Sequence, residues 1–310
     1  MTLGLFLAVL VVLSLLVGAA GFGVPHGVIL WQLRLPRTVL AALVGGGLGL
    51  AGAVLQGALR NPLADPGFLG IGGCAVVGAV IAFYWGLSAR FAPALPLAGF
   101  CGAGLGGIVL LGMSARAASG AGLILAGVAL SALAAALLAL ALALAPNPFA
   151  LAELSAWLLG GFSQATLTQL WLALPPVTLG CWLLLRLGRG LDGLALGEDV
   201  AQTLGVPVAN TLRGAALGMA LAVGAGASVA GGIGFVGLVV PHLLRPLFGE
   251  RPAALLLPSL LGGAALLLAA DICVRALPLL LPLSAEPPVG VLTAFLGAPV
   301  LVRLARRVAP

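Results

Sequence analysis

Lysine is missing from this chain of 310 residues, so all 14 of its basic side chains are arginine. Without lysine no GxxxxGK[ST] phosphate loop can be written, and any nucleotide chemistry linked to the chain belongs to another subunit. Charge of either sign is scarce, at 7% of residues, which excludes an ordinary soluble globular domain. Aromatic residues, at 5%, are too few for a membrane barrel of alternating aromatic strands. Cys74, Cys101, Cys181 and Cys273 form no CxxC pair and lie within apolar runs, so they read as small packing residues rather than metal ligands or disulfide partners.

What the chain does contain is apolar sequence, 62% of residues with a mean hydropathy of +1.25, and 47 glycines. Apolar runs of about 20 residues recur from end to end. The expectation is an all-α polytopic membrane protein in which residues 1–310 form a single transmembrane domain, with helices packed closely at small residues. Ten transmembrane helices can be drawn: Leu3–Ala20, Thr38–Leu59, Phe68–Leu87, Leu95–Met113, Gly120–Ala145, Leu167–Leu187, Thr211–Val229, Gly231–Leu247, Ala253–Val274 and Pro288–Leu304. The first lacks the basic start of a secretory signal and reads as a retained span. Leu151–Phe162, in the Pro146–Thr166 loop, reads as a short interfacial helix.

The net charge of +6 comes from arginines at span ends, so it reports topology and anionic lipid rather than nucleic acid. With the N-terminus inside, ten arginines (residues 60, 116, 186, 189, 213, 245, 251, 303, 306 and 307) fall inside and four, Arg34, Arg37, Arg90 and Arg275, outside. That asymmetry places both termini and Leu191–Gly205 in the cytoplasm. Leu191–Gly205 holds Asp192, Glu198 and Asp199, three of only eight acidic residues. Within it Leu194, Leu196, Val200, Ala201 and Leu204 recur at helical spacing, which predicts one short surface helix with an apolar face, either a connector or a docking helix.

Other stretches stand apart from the apolar background. In Arg34-Leu35-Pro36-Arg37 a proline fixes the backbone as a span begins. In Arg60-Asn61-Pro62-Leu63-Ala64-Asp65-Pro66 two prolines forbid a continuous helix, and Asp65 can pair with Arg60. A glycine-dense run from Gly231 ends at Pro241-His242, where His242 reads as a structural hydrogen-bonding residue. Asp271 and Arg275 stand four residues apart, the spacing of a helical ion pair. Arg34 and Arg37 also suit interfacial anchors whose stems lie along lipid.

In order, RLPR, RNPLADPGFLG, LALGEDVAQTLG, GFVGLVVPH, LAADICVR and PVGVLTAFLGAPV resemble the signatures of the FecCD-type permeases, membrane subunits of type II ABC importers for iron-siderophore, haem and cobalamin cargo. The chain departs from the family at Gly70-Ile71-Gly72-Gly73-Cys74-Ala75, where hydroxyl side chains are usual. The resemblance implies a homodimer in the bacterial inner membrane, two cytoplasmic ATPase subunits and one periplasmic substrate-binding protein. It implies a transport subunit that is not itself an enzyme and binds no cofactor, with ATP and Mg on the partner ATPase. Leu194, Gly197, Glu198, Asp199 and Gly205 match the ATPase coupling loop, and Arg34, Arg37 and Arg275 the arginines that dock the binding protein. Asn61, Pro62, Asp65, Pro66, Pro241 and His242 belong to its structural motifs. The competing reading is a secondary transporter or channel driven by an ion gradient, which needs embedded carboxylates; only Asp271 approaches such a position. An intramembrane enzyme built on His242 and Asp271 is disfavoured, since the topology puts the two near opposite faces.

Overall fold

The computed structural model describes the chain except residues 1, 19–20, 24–26, 88–90, 92, 118–119, 146–153, 156, 283–284 and 309–310. Among the described residues six helices are long and apolar enough to cross a membrane: α2 (Gly27–Leu59), α4 (Ala94–Ala117), α5 (Gly120–Ala143), α6 (Leu167–Leu185), α9 (Val208–Ala230) and α11 (Pro252–Leu280). Four shorter apolar helices accompany them: α1 (Thr2–Leu16), α3 (Ile71–Tyr84), α10 (Val236–Phe248) and α12 (Val289–Val308). Two small helices, α7 (Gly188–Leu194) and α8 (Glu198–Thr203), lie between α6 and α9. A two-residue hairpin, β1 (Val17–Gly18) with β2 (Gly21–Phe22), follows α1.

α2 lies at the centre, 83% buried over its most apolar stretch, whereas α5 is 28% buried and lies at the periphery. Glycines let α2 approach its neighbours. A Cβ on Gly45 or Gly49 would collide with the α11 backbone at Gly263 or Ser259, and one on Gly52 with the Gly237 carbonyl of α10. Without aqueous solvent to drive them together, such helices associate through this close packing and through hydrogen bonds.

Several boundaries differ from the sequence expectation. The second span begins at Gly27 rather than Thr38, because a π-helical turn at Leu30–Arg34 widens the helix just ahead of Pro36 and lets it run on past the proline. The expected span Gly231–Leu247 is helical only from Val236. Its start is set by Phe235, held at φ 68 in the left-handed region, and residues 231–234 are not helical. Phe68–Leu87 is divided: Pro66–Leu69 is a 3-10 turn, Gly70 turns left-handed at φ 73, and α3 follows. In the Pro66–Gly70 turn Pro66, Leu69 and Gly70 are buried while Gly67 and Phe68 are exposed, and Ser131 in the middle of α5 donates to the Phe68 carbonyl at 2.7 Å. Much of Leu151–Phe162 falls outside the described residues; Leu154–Ser155 and Trp157–Leu158 are helical.

Candidate functional site

α2 and α11 both run between two polar ends, and the residues singled out by sequence divide between them. At the first end α1 finishes. The last carbonyls of a helix lack intrahelical donors, and here two arginines supply them. Arg34 donates to the carbonyls of Leu15, Leu16 and Gly23 at 2.6, 2.9 and 2.9 Å. Arg275 donates to the carbonyls of Ser14 and Val17 at 2.8 and 2.7 Å, and to the Ser14 hydroxyl at 2.6 Å. Cations at a helix C-terminus also suit its dipole.

Asp271, fully buried, joins these groups. Its carboxylate meets Arg37 at 2.9 Å and Arg275 at 3.0 Å, the latter the helical ion pair expected from spacing. Arg37 also reaches Glu286 at 2.7 Å. The docking role expected for Arg275 does not fit its position, because its side chain is 2% exposed and committed to internal partners. Arg34 and Arg37 remain part-exposed. Three arginines at this end thus have an internal reason to be there. Asp271, neutralised by two of them, is not an embedded carboxylate available to an ion.

At the opposite end the expected single helix over Leu194–Leu204 is two, α7 and α8, broken at Gly197, whose φ of 110° with ψ of 151° is a conformation for glycine. Gly205, at φ 77, turns the chain out of α8. The apolar positions do not share one face. Leu194 and Ala201 are buried in the bundle, while Leu196, Val200 and Leu204 are 61%, 45% and 63% exposed beside Asp199, Gln202 and Thr203. Leu194 is therefore an anchor rather than part of an outward surface. Two acids pin the segment at helix starts. Asp192 accepts from Ala253 N at 2.9 Å and pairs with Arg251 at 2.7 Å, and Glu198 accepts from Gly120 N at 2.8 Å.

Between the ends, the RNPLADPGFLG and GFVGLVVPH motifs meet. Asn61 forms a local turn by accepting from Leu63 N, after Arg60 leaves α2 left-handed at φ 51. Asp65 accepts from Gly67 N at 2.7 Å and so caps the 3-10 turn that Pro66 begins, in place of the expected pairing with Arg60. Pro62 lies in the turn between them. Pro241 has no N–H for the Gly237 carbonyl one helical turn back. Gln56 of α2 supplies a donor at 3.2 Å, and its own carbonyl accepts from Arg245 at 2.7 Å. Sequence reading passed over Gln56; a glutamine in an otherwise apolar span was the available signal. His242, next in α10, is part-buried. Along α12 an apolar groove of about 1210 Å³ runs past Phe235, Gly290, Ala294, Phe295 and Val302, with Arg303 the one charged residue among the described residues that line it.

Residues 5–307 match the FecCD transport family. The vitamin B12 import system permease protein BtuC of Klebsiella pneumoniae is 40% identical over 314 residues, covering 98% of this chain and 92% of that protein. BtuC of Salmonella typhi is 39% identical over 275 residues, covering 88% and 82%. A solved structure described as an inward-facing conformation of a metal-chelate type ABC transporter superposes with a TM-score of 0.83 at 33% identity, covering 99% of this chain and 98% of that one. The chain belongs to the FecCD transport family and is an ABC transporter permease.

Proposed function

We propose that this permease imports cobalamin, or a metal chelate of similar bulk, from periplasm to cytoplasm across a bacterial inner membrane, as a homodimer of ten-span subunits. The observation that carries the reading is the outward face of α8. Leu196, Val200 and Leu204 are exposed at a span end among Asp199, Gln202 and Thr203, while Leu194 and Ala201 root the same segment in the bundle. Leucines presented among polar side chains beyond the apolar spans call for a protein cover, and a cytoplasmic ATPase subunit carrying ATP and Mg fits. Similarity to cobalamin permeases puts cobalamin first among cargoes; haem and ferric siderophores are the alternatives.

The α12 groove is the face for the second copy. Pairing two such walls about a two-fold axis encloses an apolar path whose one charged residue, among the described residues of each copy, is Arg303. A weakly polar wall suits a bulky cargo that must be released as well as admitted. A periplasmic binding protein would dock over the first end, where Arg34 and Arg37 reach the surface and Arg275 braces them from below. ATP binding would draw the two α8 helices together and switch the dimer between outward- and inward-open states.

The test is uptake into proteoliposomes holding the permease and its ATPase, with binding protein and either cyanocobalamin, haemin or a ferric siderophore outside. ATP-dependent accumulation of cyanocobalamin is the expected result. Accumulation of another cargo alone would replace cobalamin, and uptake that follows an ion gradient without ATP would overturn the importer reading.

A further inference from the structure

The carboxylate of Glu198 faces the membrane domain rather than the outside. Its Oε1 accepts from the backbone N–H of Gly120, the first residue of α5. That N–H has no partner within its own helix, and a carboxylate suits the positive end of a helix dipole. The contact is built closely. Gly120 is buried, and a Cβ there would lie 3.2 Å from the Glu198 carboxylate and 3.4 Å from Leu59 at the end of α2. Arg60, the residue that follows α2, lies beside Gly197. The start of α8, the start of α5 and the end of α2 therefore meet at one point.

α5 is the most weakly buried of the six long helices, at 28%. Ser131, which donates to the Phe68 carbonyl in its middle, and the Tyr84 hydroxyl, which donates to the Ala141 carbonyl near its far end, also tie it to neighbouring elements. Along the chain α8 is separated from α5 by the whole of α6, so this hydrogen bond is a short cut between them. Asp192 repeats the device on α11, where it accepts from Ala253 N.

We propose that Glu198 is a positioning residue that carries displacement of α8 directly to the N-terminus of α5, a role distinct from contact with the ATPase and one that rests on the importer reading above. Asp199, Val200, Gln202 and Leu204 form the outward surface, and Glu198 is the strut behind it.

The test uses full-length permease with its four cysteines replaced and spin labels at Ala121→Cys and Gln202→Cys. Glu198→Ala should broaden the α5–α8 distance distribution, and Glu198→Gln, which keeps an acceptor oxygen, should restore it. In the assembled transporter without labels, Glu198→Ala should lower cargo moved per ATP hydrolysed by at least about fivefold, the lower range of site-to-site coupling, and Glu198→Gln should recover most of it. ATPase retention should fall less in Glu198→Ala than in Leu204→Asp. An unchanged distance distribution would overturn the strut, as would a loss of ATPase retention equal to that of Leu204→Asp. Failure of the unmodified transporter to move cargo with ATP would count against the importer reading alone, because the distance measurement needs neither partner nor cargo.

Discussion

The two polar ends use the same residue types in opposite ways. At the end of α1, Arg37, Asp271, Arg275 and Glu286 are drawn from two distant helices and the segment before α12 into one cluster, with exposures of 13%, 0%, 2% and 17%. Around α7 and α8 the acids act singly: Asp192 and Glu198 each cap a different helix, Arg251 pairs with Asp192 while 75% exposed, and Asp199 points outward. A buried charge is tolerable only when its partners satisfy it, so the first end acts as a lock whose members depend on one another. An exposed charge costs little and leaves the second end free to meet another protein.

The sharpest way to break this contrast is Asp271→Asn. It leaves Arg37 and Arg275 facing each other with Glu286 as the one remaining acid, and breaking a buried pair in this way costs about 3–5 kcal/mol. Thermal unfolding in detergent should shift strongly downward, and high salt should not restore it. Glu286→Gln should cost less, since Arg37 keeps Asp271. Equal stability of Asp271→Asn and the unmodified protein would show that the cluster is not a lock.

Next in size is Gly197→Ala, which forces a side chain into a backbone conformation nearly reserved for glycine, at a local cost of about 1–3 kcal/mol. The break between α7 and α8 should deform and ATPase retention should fall while the spans remain folded. Leu204→Asp should separate surface from scaffold. It places a charge in the proposed contact without strain, so retention should fall by roughly tenfold or more, as for a central interface residue, at unchanged unfolding temperature. If both variants retained the ATPase, the second end would be a connector.

Sequence legibility follows the same division. The i,i+4 spacing of Asp271 and Arg275 announced their pair, because helix geometry makes such neighbours inevitable. Arg37–Asp271 joins positions 234 apart, and Arg275–Ser14 positions 261 apart; no spacing rule reaches across helices. Hydropathy located the spans but overextended Gly231–Leu247, since glycines are apolar whether helical or not and the true start depends on the dihedral angle of Phe235. It also gave α8 a single apolar face, because the periodicity of Leu194–Leu204 runs through Gly197 and carries no sign of the turn there. Motif order was enough to point to the family, since each short motif fixes a local turn or contact. Which acid faces inward was not legible, because Glu198 and Asp199 are adjacent and differ only in what packs beside them.

The smallest expected effect concerns the exposed pair at α11. Asp192 does two things, accepting from Ala253 N at the helix start and pairing with Arg251, whereas Arg251 does only the second. A surface pair contributes about 0–1 kcal/mol, and loss of a helix-capping acceptor about 0.5–2 kcal/mol. Arg251→Ala should therefore lower stability slightly, and raising salt should erase the difference because exposed charges are screened over about 8–10 Å at ordinary ionic strength. Asp192→Ala should cost more and keep most of its deficit in salt, since a backbone cap is short-range and part-buried. Asp192→Asn, which retains an acceptor oxygen without the charge, should fall between the two. Measured by thermal unfolding at low and high salt, this ordering distinguishes a capped helix start from a surface ion pair. If Arg251→Ala and Asp192→Ala proved equal and equally sensitive to salt, this end would be held by charge alone, and the contrast with the buried cluster would be one of exposure rather than of construction.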